Sequence, residues 1–162
     1  MKVDITVSNF DTSFKRLLKL KKGKNIVKSR YFLENLTFKL RIDFVVQLIS
    51  SIASVSNLIY RIEFWEKDEK IDSLFMHLDK NKRFEIRKPY KMGESPGTAL
   101  MKDLIVDREL LKVLLTNHFN FEMAYTPSLN MRLQIYINSK NHKILLDIYD
   151  DRGFDVYYLN YV

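Results

Sequence analysis

The amino-acid sequence predicts an α+β fold: a single domain over residues 1–162, with a mainly antiparallel sheet, two or three helices packed on it and a three-strand meander at the C-terminus. Three observations carry that expectation. Met131 to Leu159 alternates apolar and polar residues in three short runs separated by turn residues. Val45 to Leu58 and Asp107 to Phe119 instead space their apolar residues at helical intervals. Only 4 Gly and 3 Pro occur, so no flexible linker divides the chain, and a hydrophobic content of 46% suffices for one core.

Taken in order, Lys2 to Val7 sets Val3, Ile5 and Val7 against Lys2, Asp4 and Thr6, the period of a short strand. Asp11-Thr12-Ser13 can cap a helix bearing Phe14, Leu17 and Leu18, which Gly23 would end. Ile26 to Phe32 fits either helix or strand. Thr37 to Phe44 places Phe38, Leu40, Ile42 and Phe44 on one face, which predicts a strand, and the helix from Val45 follows. Tyr60 to Glu66 alternates again, a strand, and Glu66 to Lys70 is a charged turn. Ser73 to Leu78 and Arg83 to Tyr90 predict a hairpin through Asp79 to Lys82. Lys91 to Gly97, with two Gly and a Pro, is a loop and no phosphate cradle, since no Gly-Lys-Ser or Gly-Lys-Thr follows. Leu100 to Val106 reads as a strand. Asp107 reads as the N-cap of a helix carrying Leu110, Leu111, Leu114 and Leu115 to about Phe119, and Phe121 to Asn130 as a loop.

In the meander, Met131, Leu133, Ile135 and Ile137 face one side and Arg132, Gln134 and Tyr136 the other, as in a sheet with one buried face. Asn138 to Asn141 makes a polar turn, and Lys143 to Tyr149 turns Ile144, Leu146 and Ile148 inward. Asp150 to Gly153 is a second turn, with Gly153 supplying a positive φ, and Phe154 to Leu159 is the last strand; both pairings should be antiparallel.

Composition excludes several chemistries. Without Cys there is no disulfide, thiolate nucleophile or Cys-type zinc site. His77, His118 and His142 lack ligand spacing, so no metal and no cofactor are expected. No apolar run follows Met1, and the most apolar stretch, Phe44 to Tyr60, is interrupted by Gln, Ser and Asn, short of the ~20 residues of a membrane span; a soluble, cytoplasmic protein is expected. Abundant Asn, Lys and Ile fit an AT-rich bacterial or phage genome. No Ser-centred elbow or His–acid pair marks a catalytic site, so no enzyme is expected.

The net charge of +7 is local. Between Thr12 and Leu33 stand Lys15, Arg16, Lys19, Lys21, Lys22, Lys24, Lys28 and Arg30, with no acidic residue among them. Removing those eight from the 27 basic residues leaves 19 against 20 acidic ones, a net of −1. This N-terminal segment, residues 1–35, is either a contact surface for an acidic partner or nucleic acid, or a solvated face.

The most distinctive string is Tyr149-Asp150-Asp151-Arg152-Gly153-Phe154-Asp155-Val156. Its three carboxylates are either an acidic catalytic or metal cluster, or a turn in which Asp side chains accept backbone N–H groups and Arg152 offsets their charge; an Asp-Asp pair alone supplies few ligands for a hard cation. The string resembles the signature of an uncharacterised domain family of Firmicute bacteria. Over about residues 36–159, Lys39 to Phe44 resembles that family's early strand, and Leu110-Leu111-Lys112 with Asn117-His118-Phe119 its helix before a Pro-containing loop, here Pro127. By analogy with such domains, the resemblance implies a small non-catalytic interaction protein: an immunity protein or inhibitor that neutralises a toxin or effector, an acidic protein met by the basic segment. The alternative is a nucleic-acid-associated protein using Lys15 to Arg30.

Overall fold

A computed structural model of the chain describes residues 26–53, 57–78, 84–103, 105–138 and 143–159. The first described strand, β1 (Ile26–Phe32), is followed by α1 (Phe38–Ile52), β2 (Asn57–Phe64), α2 (Asp68–Leu78), β3 (Phe84–Lys88), β4 (Gly97–Asp103), α3 (Arg108–Glu122), β5 (Met131–Asn138), β6 (Lys143–Ile148) and β7 (Gly153–Leu159). The seven strands form one sheet in the order β1-β7-β6-β5-β2-β4-β3, and every pairing is antiparallel. This is the expected α+β architecture, with the meander β5-β6-β7 intact. The first and last described strands are neighbours, so β1 closes the meander's outer side.

Most of the apolar core lies on one face of the sheet. Ile42, Val45, Val46 and Ile49 of α1 pack with Leu110, Leu111, Leu114, Leu115 and Phe119 of α3, and Ile71 of α2 joins the same cluster. The sheet contributes alternate residues, among them Leu58, Tyr60, Ile62 and Phe64 of β2 and Leu133, Ile135 and Ile137 of β5. Asp107 caps α3 by accepting the Leu110 N–H at 3.0 Å, as expected. Among the described residues, no helix is long and apolar enough to cross a membrane.

Three local expectations are corrected. Thr37 to Phe44 is not a strand: Thr37 stands at the N-cap of α1 and Phe38 to Phe44 form its first two turns. The alternation of Phe38, Leu40, Ile42 and Phe44 loses to the longer stripe of Ile42, Val45, Val46 and Ile49, which leaves Leu40 and Phe44 exposed. That helix ends at Ile52, and Leu58 belongs to β2. Glu66 to Lys70 is no simple turn and Ser73 to Leu78 no strand: α2 starts at Asp68 and runs through Leu78. Ile26 to Phe32, ambiguous in sequence, is strand β1. The elements expected over Lys2 to Val7 and Asp11 to Gly23 lie outside the described residues.

The meander's second face is also not the solvated surface that its polar residues suggest. Gln134 (1% exposed), Asp147 (2%), Arg61 and Asp155 are all buried, together with Tyr136, Leu145 and Tyr157. The strand register lines them up. Arg30 lies opposite Asp155, Asp155 opposite Asp147, Asp147 opposite Gln134 and Gln134 opposite Arg61. A polar row thus crosses five strands with an arginine at either end.

Candidate binding cleft at the Tyr149–Gly153 turn

Two carboxylates facing each other across β6 and β7 would repel, and the row resolves this by giving each its own cations. Asp147 accepts from Arg132 Nε at 2.8 Å and from Gln134 Nε2 at 3.3 Å, while Arg61 Nη1 reaches Gln134 Oε1 at 2.8 Å and Glu63 Oε1 at 2.7 Å. Asp155 takes Lys28 Nζ at 2.8 Å and Arg30 Nε at 2.9 Å. Burial pushes the Asp155 carboxyl up, but the hydrogen bonds from Arg30 and Lys28 with their charges outweigh it, so its pKa lies below the ordinary value. Lys28 is in turn raised by its hydrogen bond to Asp155 and lies 5.6 Å over the Tyr157 ring.

One end of this face is finished by the turn between β6 and β7. Asp150 Oδ1 accepts the backbone N–H groups of Arg152 (2.9 Å) and Gly153 (3.3 Å), and its Oδ2 accepts Arg152 Nη2 at 2.8 Å and Nε at 3.2 Å. An Asp that folds back on its own following N–H groups sets the turn locally. Asp151 is clamped from α1: Arg41 Nη1 reaches its Oδ2 at 2.6 Å and its carbonyl at 3.2 Å, while Arg41 Nε and Nη2 donate to the carbonyls of Leu36 and Glu34. The Leu33 N–H closes the arrangement on the Arg152 carbonyl at 2.7 Å.

Gly153 is needed here for a reason other than the expected positive φ; Gly93 is the glycine with that conformation among the described residues. A Cβ at position 153 would stand 2.5 Å from the Tyr31 carbonyl oxygen, so the close approach of β1 to β7 excludes a side chain. Gly153 pairs with Phe32, whose ring is 71% exposed. A cleft of about 270 Å³ beside this contact is lined by Arg30, Phe32, Glu34, Tyr149, Asp150, Arg152 and Gly153. The Arg30 guanidinium carbon lies 5.6 Å over the Tyr149 ring, and burial raises the Tyr149 phenol, which stays protonated as a donor.

Comparison with protein-family models, with curated proteins and with solved structures finds no match for this chain.

The structure brings the motif residues Tyr149, Asp150, Asp151, Arg152, Gly153 and Asp155 together with the two described members of the basic set, Lys28 and Arg30, both of them on Asp155. Lys15, Arg16, Lys19, Lys21, Lys22 and Lys24 lie outside the described residues. Among the described residues, no three His, Asp or Glu side chains gather in a way that could hold a metal ion. Sequence reading missed Arg41, Arg61, Arg132, Gln134 and Asp147. The signal of Arg61, Gln134 and Asp147 was present as polar residues at matching positions of successive strands, but pairing them requires the register, and Arg41 lies on α1.

Proposed function

We propose that this chain is a non-catalytic interaction protein, an immunity protein or inhibitor that binds a cognate toxin or effector and neutralises it. The observation that carries this reading is the commitment of the motif's carboxylates. A general acid, base or metal ligand needs an oxygen open to substrate or ion. Asp150 divides its two oxygens between backbone N–H groups and Arg152, Asp151 holds Arg41, and Asp155 holds Lys28 and Arg30 on separate oxygens. Beside these stand arginines, a tyrosine and an exposed phenylalanine, the residue types that supply anchors in protein interfaces. An acidic partner fits the basic charge of the N-terminal segment, and a cytoplasmic setting fits a chain that forgoes disulfides.

Coexpression with the product of the neighbouring gene, followed by size-exclusion chromatography and calorimetry, tests the reading. A defined complex that survives high salt is the expected result. A gel-shift titration on random DNA and RNA is the counter-test. Tight binding at physiological salt that falls by orders of magnitude from ~50 to ~200 mM would replace this reading with a nucleic-acid-associated one.

A further inference from the structure

We infer that the cleft between Phe32 and Tyr149 is the anchor point for the partner, and that it takes an acidic side chain, aspartate or glutamate, carried beside an apolar residue that packs on Phe32. This rests on the reading of the chain as an interaction protein and names the chemistry its partner presents.

The donors are in place and unspent. Arg30 uses only Nε on Asp155, and among the described residues its two terminal amino groups make no further hydrogen bond. Arg152 uses Nε and Nη2 on Asp150, which leaves Nη1. Tyr149, which also lines the cleft, carries a hydroxyl that can donate as well. The Arg30 and Arg152 side chains are 48% and 69% exposed, yet each is held by an aspartate, so little side-chain freedom is lost when a ligand arrives. Oriented guanidinium edges are the groups that read a planar carboxylate.

The lining also selects against larger anions. Two arginines face Glu34 and Asp150, so the formal charge of the cleft is balanced. A phosphate dianion or a nucleic-acid backbone depends on net positive field and would meet two carboxylates. A single carboxylate gains from directed N–H groups at a smaller electrostatic cost. The apolar half is explicit too, since Phe32 and the Tyr149 ring border the space and Phe32 stands 71% exposed. Gly153 lines the cleft as bare backbone, and the Tyr31 carbonyl excludes a side chain at that position.

The test is an NMR titration of the full chain that follows the Nε–Hε signals of Arg30 and Arg152. The probe is the monoanionic peptide acetyl-Leu-Glu-Leu-amide, with its Gln counterpart, inorganic phosphate and a short oligouridine as comparisons. Saturable shifts of both arginine signals with the Glu peptide are expected, with binding at least about tenfold weaker for the Gln peptide and for Arg152→Gln and Phe32→Ala. Both substitutions are at exposed side chains, and unchanged backbone spectra will show that the fold is retained. Equal binding of the Gln peptide, tighter binding of phosphate or oligouridine, or no saturable shift would each overturn the inference. A partner complex that forms as well with Phe32→Ala/Arg152→Gln as with the native chain would overturn the cleft while leaving the interaction reading standing; absence of any protein complex would remove that reading itself.

Discussion

On the helix-covered face, β5 and β6 present Leu133, Ile135 and Leu146, all fully buried; one residue along, on the opposite face, Gln134 and Asp147 are buried to within 2%. The two faces are equally shielded and chemically unlike. On the first, stability comes from removing apolar area from water, and shape decides its quality. On the second, each buried polar group must find a partner, so what is gained is direction: a one-residue slip would carry Asp147 and Asp155 into the apolar core and strand Arg61 and Arg132. The apolar face drives collapse, and the polar face selects one register.

The largest effect separates these roles by double-mutant cycles in urea. Leu146→Ala and Asp147→Ala should each cost about 3 kcal/mol, the first by leaving a cavity and the second by stripping buried Gln134 and half-buried Arg132 of their acceptor. Ile135 lies opposite Leu146. Adding Ile135→Ala to Leu146→Ala should deepen the loss. Replacing Arg132 and Asp147 together by Leu should instead recover most of the single-site cost, because no charge is left unpaired. Additive losses at the Arg132–Asp147 pair would show that the polar face does not act as a coupled row.

This contrast also explains what was legible in the sequence. The meander and α3 were readable because period-two runs, an Asp cap and a leucine stripe are local signals. Phe38 to Phe44 misled because four alternating apolar residues can fit a strand, and only packing of α1 against α3 decides for the helix. The polar face was misread as solvated because Arg132, Gln134 and Asp147 look hydrophilic one at a time. The commitment of Asp151 depends on Arg41, which lies 110 residues away and inside the segment read as a strand. The cleft was invisible because it exists only where Gly153 meets Phe32 across two strands.

His118 breaks the pattern from within the helix-covered side. Its Nε2 is buried and makes no hydrogen bond among the described residues, and burial lowers its pKa to about 4, although the Asp150 charge and hydrogen bonds with the backbone of Met131 and Ile148 pull the other way. Above about pH 6.5 it is neutral folded and unfolded, so it adds no pH dependence. Between about 6.5 and 4 the unfolded chain takes up a proton that the folded one refuses. Stability should therefore fall with pH, by as much as about 3 kcal/mol at pH 4. Asp155, depressed by its cations, gives way in a lower window, below its ordinary 3.8. Thermal unfolding at pH 7 and pH 4.5 should show a steep loss for the native chain and a shallow one for His118→Leu; parallel losses would place the acid sensitivity elsewhere.

Gly153→Ala addresses the seam where β1 joins the meander. The new Cβ must displace the Tyr31 carbonyl, which is backbone and yields only if β1 shifts. We expect a cost of about 2 kcal/mol, with the exchange protection of β1 amides falling first. If β1 amides keep their protection, the strand contact does not constrain position 153, and the glycine's place in the turn needs another cause.

The smallest effect lies where the polar face meets water. Arg152 and Asp150 form a pair at 2.8 Å, but the arginine side chain is 69% exposed and the aspartate 12%. Water and salt compete for the arginine, whereas the aspartate also carries the backbone N–H groups of Arg152 and Gly153. The two ends of one ion pair should therefore differ in what they contribute. Arg152→Gln should move Tm by no more than about 2 °C, and added salt should erase even that. Asp150→Ala removes the side-chain acceptor of the Arg152 and Gly153 N–H groups, so it should cost about 1 kcal/mol at any ionic strength. Melting curves of both variants at low and high salt make the comparison. Equal, salt-sensitive losses would mean that the turn is held by charge attraction after all; an Asp150-only, salt-insensitive loss places its stability in the backbone hydrogen bonds and leaves Arg152 free for the cleft.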